Sequence, residues 1–314
     1  MTKHTISCPK CGFAQDHSEE CVRCGIVFSK FNKKTRPVPK TSADPTTEKR
    51  KTPTKKPSIS FRALRVTILL VLLFLVGMNA WLIKLRTTDW DQSLRVVVYP
   101  INGDGSRTSS DYIDSLDTYA FESIEYYMQR EAEHYELELS NPISITLAPK
   151  IDEIPPRPPR DRNRLGVILW SLKMRYWAYS YDTYEGPTPD VQMFVLYFNP
   201  RVHKELDHSL GLEKGLIGVV NAFAGREREA KNNVVIAHEM LHTVGATDKY
   251  DLATNQPVYP EGYAKPDKKP LFPQEKAEIM ACSIPLSETK AVMPEGLMNT
   301  VIGEKTAREI RWIQ

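Results

Sequence analysis

The stretch HEMLHTVGATDKYD, His238 to Asp251, sets two histidines four residues apart with a glutamate just after the first. In a helix, positions i and i+4 share a face, so His238 and His242 can each turn a ring nitrogen toward one metal ion. Glu239 is rotated by about 100° from His238 and is poorly placed to join them as a ligand. It is suited instead to take a proton from a metal-bound water, whose pKa a zinc ion lowers toward ~7. Such a site needs a third protein ligand. Gly245, three residues after His242, tolerates the positive φ that stops a helix sharply, and Asp248, three further on, is then carried under the metal.

A second cluster lies near the N-terminus. Cys8, Cys11, Cys21 and Cys24 form C-x2-C, nine residues, C-x2-C, and Gly12 and Gly25 follow the two knuckles. Four soft ligands in this spacing suit a tetrahedral structural zinc, which makes residues 1–30 a small zinc ribbon. Disulfides are the alternative, and a reducing compartment would disfavour them. No basic-aromatic face accompanies the cysteines. The ribbon is expected to dock a cytoplasmic protein or to be purely structural, rather than to bind nucleic acid.

The elements that must position the histidines are legible from residue 92 onward. SLRVVVYPI, PISITLAP, DVQMFVLYFNP and KGLIGVVNAF are strand candidates. Residues 110–135 carry apolar side chains at helical spacing, as do 164–181, and IPPRPPR must be an extended connection. A helix over 227–244 bears the histidines, and GEKTAREIRWI closes the chain with a short one. The order is mixed α/β (α+β), and residues 90–314 are ample for one core.

With these residues in view, HEMLHTVGATD resembles the HExxHxxGxx(H/D) signature of metzincin metallopeptidases, in the aspartate variant found in the snapalysin family. The shared GxxDxY, Gly245 to Tyr250, sharpens the resemblance. It implies a zincin-like mixed sheet with an active-site helix. It also implies zinc on His238, His242 and Asp248, with Glu239 as general base in the hydrolysis of peptide or protein substrates. The family's Met-turn, a methionine packed beneath the histidines, falls first on Met280, then on Met298 or Met293. Other zinc peptidases carry a similar run but take a later glutamate as third ligand, which keeps Glu261, Glu275 and Glu278 in view. In that case Asp248 or Asp251 would bind calcium or brace the turn. Tyr250 or Tyr263 can donate to an oxyanion or simply pack. The strand LIGVVNAFAG, residues 216–225, is expected at the cleft edge, and Cys282 as a buried free thiol. A non-catalytic zincin-fold binding or sensing module is the competing class.

The resemblance does not reach residues 1–90. Before residue 66 there are 15 Lys/Arg and 5 Asp/Glu, so the rest of a chain of net charge +3 carries about −7. Residues 31–61 are rich in Pro, Thr and Lys and read as a disordered basic linker touching anionic headgroups. Val66–Ile83 holds 18 residues without a charge, between Arg62 and Arg65 on one side and Lys84 and Arg86 on the other. At ~1.5 Å per residue that covers most of a ~30 Å hydrocarbon core, so residues 62–86 are expected to be a transmembrane helix. Seven Lys/Arg between Lys49 and Arg65 place the N-terminus in the cytoplasm. The expectation is a single-pass protein of a bacterial inner membrane with its peptidase domain outside the cytoplasm, and with Trp81 and Trp90 at the outer interface.

Overall fold

The structure, a computed structural model, describes residues 5–30, 61–159, 164–212 and 216–314, excluding the side chains of 61–62 and 79–88. The basic linker lies outside the described residues, apart from Phe61. The chain separates into two compact units, Met1–Ser60 and Phe61–Gln314.

In the first unit, β1 (Thr5–Ser7) and β2 (Ala14–Asp16) form an antiparallel hairpin. The buried Gln15 amide donates to the Glu20 carbonyl (2.8 Å) and accepts from the Val22 N–H (2.9 Å), tying the hairpin to the second pair of cysteines. The second unit begins with α1 (Phe61–Thr88). Its described apolar side chains, from Leu64 to Met78, are exposed. Among the described residues no helix is long and apolar enough to cross a membrane. The far end of the expected span, from residue 79 on, has its side chains outside the described residues.

Five strands build the main sheet: β3 (Leu94–Asn102), β4 (Ile143–Leu147), β5 (Val191–Phe198), β6 (Leu210–Leu212) and β7 (Ile217–Phe223), in the order β4-β3-β5-β7-β6. All pairs are parallel except β6–β7. The unbroken apolar run of β3 follows from this, because a parallel strand is covered on both faces. Val96 and Val98 point to one side, into a core shared with α2 (Arg107–Asp114), α3 (Glu122–His134) and α5 (Glu229–Thr243). Val97 and Tyr99 point to the other, where α4 (Arg164–Ser180) lays Met174 and Trp177 against them. Tyr99 stacks on Phe194 at 4.9 Å, and Trp177 meets Phe194 edge-on at 5.0 Å. The result is helix–sheet–helix, with α5 and α4 on opposite faces.

Downstream of α5 the chain is mostly irregular. β8 (Ala277–Glu278) pairs with β11 (Thr300–Val301), β9 (Ile284–Pro285) pairs with β10 (Ala291–Val292), and α6 (Glu304–Glu309) ends the fold.

Three expectations are corrected. The single helix expected over 110–135 is broken at Ser115–Asp117, where the Ser115 hydroxyl donates to the Tyr112 carbonyl at 2.7 Å and closes the first helix. The strand expected at the cleft edge, β7, is interior, because the three-residue β6 adds outside it. Trp90 is buried rather than interfacial: its indole N–H donates to the Ile310 carbonyl (2.7 Å), and its ring meets Trp312 edge-on at 5.6 Å.

Candidate metal centres

The helix carrying the histidines is fixed at both ends. At its head, the buried Asn232 amide accepts from the Phe223 N–H (3.2 Å) and donates to the Phe223 carbonyl (2.9 Å), pairing with the end of β7 as a peptide would. Asn233 donates to the Ala120 carbonyl and the Ser123 hydroxyl, which ties α5 to the start of α3. At its tail, Gly245 has φ 110°. The Ala246 N–H reaches back to the Leu241 carbonyl (3.0 Å) and the Gly245 N–H to that of His242 (3.2 Å), which is the Schellman pattern. This reversal brings Asp248 back to the histidines.

His238 Nε2, His242 Nε2 and Asp248 Oδ1 converge: 3.1 Å between the nitrogens, and 3.3 and 3.0 Å from each to the carboxylate oxygen. Nitrogen and oxygen ligands at ~2.0–2.2 Å from one tetrahedral ion stand roughly 3.3–3.5 Å apart, so this triangle fits one face of such a site. Both rings are oriented for it. His238 Nδ1 lies 3.0 Å from the Ile279 carbonyl and His242 Nδ1 2.7 Å from the Ala246 carbonyl. A carbonyl only accepts, so each Nδ1 carries the proton and each Nε2 lone pair is left for a metal. Burial opposes ionisation of Asp248, but in the metal-free site protons on the two Nε2 atoms, which a metal would replace, hydrogen-bond its carboxylate and hold it below the usual carboxylate range. Glu239, on the same helix, is buried, and that burial raises its carboxyl above the ordinary glutamate value.

The loop bearing Asp248 is braced on two sides. The Lys249 N–H donates to the Met280 carbonyl at 2.9 Å. From α6, the Glu309 carboxylate accepts from the Thr247 N–H (2.9 Å), the Thr247 hydroxyl (2.8 Å) and the Lys249 ammonium (2.7 Å). Met280 sits in the 3₁₀ turn Ile279–Ala281, fully buried beside the helix whose His238 contacts that turn. Met293 and Met298 are exposed.

The later glutamates are placed otherwise. Glu278 is fully buried and accepts from Met280 N, Gly303 N and the Thr306 hydroxyl, while Glu275 pairs with Lys268. Glu261 is exposed. Asp251 accepts from Ala253 N, Thr254 N and the Thr254 hydroxyl, so it braces a turn, and no cluster suited to calcium forms there among the described residues. Tyr250 is half-buried with its ring centroid 6.5 Å from that of His238, whereas Tyr263 packs on Tyr259 and Phe272.

Two neighbours of the site were not foreseen. Cys282 is only partly buried, and its Sγ lies 3.2 Å from His238 Nδ1. It reaches there because the turn through Met280 ends in a left-handed residue, Cys282 itself, at φ 58°. Gly211 of β6 runs directly under α5: a Cβ there would strike the Glu239 carbonyl oxygen and the His242 Cβ. A glycine in a short apolar stretch was the one signal available for it.

In the first unit, Cys8 and Cys24 Sγ lie 3.7 Å apart, as do those of Cys11 and Cys21. That is too long for a disulfide and matches the ~3.8 Å edge of a tetrahedron with ~2.3 Å metal–sulfur bonds. The two knuckles repeat one pattern. Gly12 N donates to Cys8 O and Gly25 N to Cys21 O, with φ 75° and 66° at the glycines. Burial opposes the Cys8 thiolate, yet the backbone N–H groups of Cys11 and Lys10 outweigh it and lower that thiol to about 6, while burial pushes Cys24 up to about 12. Ionised together, four thiolates this close would need a cation among them. Both clusters could hold a metal ion, and they are the two such groups among the described residues.

No protein-family model matches the chain, and no curated protein matches it.

Proposed function

We infer that the chain is a membrane-tethered zinc endopeptidase of metzincin type whose cytoplasmic end is a zinc ribbon. The observation that carries this reading is the convergence of His238, His242 and Asp248 on one point with an intact, buried Glu239 on the same helix. A zinc ion in that triangle would acidify a bound water toward pKa ~7 and polarise a substrate carbonyl. The rest of the chemistry belongs to the chain. Glu239 takes the water's proton and returns it to the leaving amine, and a carboxyl with a raised pKa is well matched to both steps. Tyr250, whose ring centroid lies 6.5 Å from that of His238, would be the donor to the developing oxyanion. β6, the edge strand beside α5, is where an extended peptide would add by backbone hydrogen bonds.

In the ribbon, zinc on Cys8, Cys11, Cys21 and Cys24 is structural, because four protein ligands leave no position for substrate. The charge-free run Val66–Ile83 and the basic residues before it are the grounds for the anchor and for a cytoplasmic ribbon that docks a protein partner. The test is casein cleavage by the full chain in detergent and by its Glu239→Gln variant, both loaded with zinc. Cleavage by the wild type alone supports the reading. Equal cleavage by both would sink the mechanism, and none by either would favour a binding module.

A further inference from the structure

Helix α4 is apolar on two opposite faces. Trp170, Met174, Trp177 and Ala178 are buried against the sheet. On the opposite side Leu165, Ile168, Leu169, Leu172, Tyr176 and Tyr179 fall within about 100° of arc at 100° per residue. These six are 54–84% exposed. A surface helix normally turns polar residues to solvent, and one that is apolar all round belongs in a core or against lipid. The charges of α4 are of one sign: Arg164, Lys173 and Arg175, with no Asp or Glu in the helix. They flank the apolar stripe rather than interrupt it.

We propose that the outer face of α4 is a lipid-docking surface that lies in the headgroup region of an anionic bilayer. Leucine and isoleucine would enter the acyl boundary, the two tyrosines would sit at headgroup level with their hydroxyls in water, and the flanking cations would meet lipid phosphates. A second copy docked by the same face would set like charges against one another, so charge complementarity favours lipid. The geometry has a consequence for the metal site. α4 and α5 cover opposite faces of the sheet, so a domain lying on α4 keeps the histidine cluster turned away from the bilayer. The inference rests on the membrane location in the proposed function, and neither on the α1 anchor nor on peptidase activity.

The test uses the full chain in vesicles of phosphatidylcholine, with and without phosphatidylglycerol, doped with a phosphatidylcholine carrying a photoactivatable diazirine in its acyl chain. Lipid adducts are mapped by mass spectrometry. The expected result is adducts on the peptide spanning 164–181 that rise with phosphatidylglycerol. They should fall by about tenfold or more in Leu169→Glu/Leu172→Glu, with adducts on α1 unchanged. Both positions are exposed, so the variant is expected to fold, and an unchanged metal content checks this. Lys173→Glu should weaken the dependence on phosphatidylglycerol, since it lowers the charge of α4 from +3 to +1. Adducts on α1 but none on α4 would overturn the docking surface and leave the anchor standing. Adducts on α4 but none on α1 would uphold docking and remove the anchor. Cross-links between two α4 helices in place of lipid would overturn the proposal in favour of a dimer.

Discussion

Removing the Glu309 carboxylate should loosen the metal loop from a distance. In Glu309→Ala, the Lys249 ammonium, whose side chain is only 6% exposed, loses its counter-charge, and the Thr247 N–H and hydroxyl lose their acceptor. Breaking a buried pair by deleting one partner costs roughly 3–5 kcal/mol, and the partial exposure of Glu309 places this case near ~3. For a unit of this size that lowers the melting temperature of the metal-free protein by about 6–12 °C. Asp248 lies between Thr247 and Lys249, so metal affinity should also fall, by about 10–100-fold. The two effects separate in Lys249→Met/Glu309→Leu. Apolar replacement of both partners should restore most of the stability, because no charge is left buried alone, but not the affinity, because the loop is still untied from α6. Melting curves in chelator and competition against a chromophoric chelator measure the two quantities. Wild-type metal affinity in Glu309→Ala would refute the idea that α6 holds the ligand loop.

Further predictions concern the supports of the two centres. Asn232→Ala leaves the Phe223 N–H and carbonyl unpaired under α5 and should cost about 1–3 kcal/mol in denaturant unfolding. Burial opposes ionisation of Glu309, but Lys249 and Thr247 outweigh it, so its folded pKa is depressed. Its contribution is then fully present above the unfolded value of ~4.3 and is lost as pH falls through the folded one. The stability gap between metal-free wild type and Glu309→Gln should therefore be flat near neutrality and close below about pH 4, as unfolding midpoints from about pH 3 to pH 6 would show. With metal bound, only the partly exposed Cys282 of the five free thiols should react with an aromatic disulfide reagent, and chelation should release the remaining four.

Much of the site was legible because its determinants are local. The i, i+4 pair, the glycine that ends the helix and the aspartate three residues on lie within eleven residues, and backbone geometry alone brings them together. The same holds for the knuckles, where each glycine directly follows its cysteine pair. The central strands β3 and β5 were legible as apolar runs, because burial on both faces removes the alternation of an exposed sheet. What could not be read depends on distant partners. β6 has three residues and a single neighbour in the sheet, and its Gly211 is explained only by the α5 backbone above it. The position of Cys282 follows from a left-handed residue, and the grip of α6 on Thr247 and Lys249 spans some sixty residues of sequence. Trp90 was misplaced because an aromatic beside an apolar helix looks interfacial, whereas its indole is claimed by Ile310, 220 residues away.

The account stands most directly on a count of metal. Full-length protein purified in zinc and assayed by elemental mass spectrometry should carry two zinc ions per chain. Asp248→Ala or His238→Ala should lower this to one, and Cys8→Ser/Cys11→Ser should lower it independently to one. Two ions retained in Asp248→Ala would remove that carboxylate from the site, and a single ion in the wild type, lost only with the cysteines, would contradict the catalytic metal centre itself.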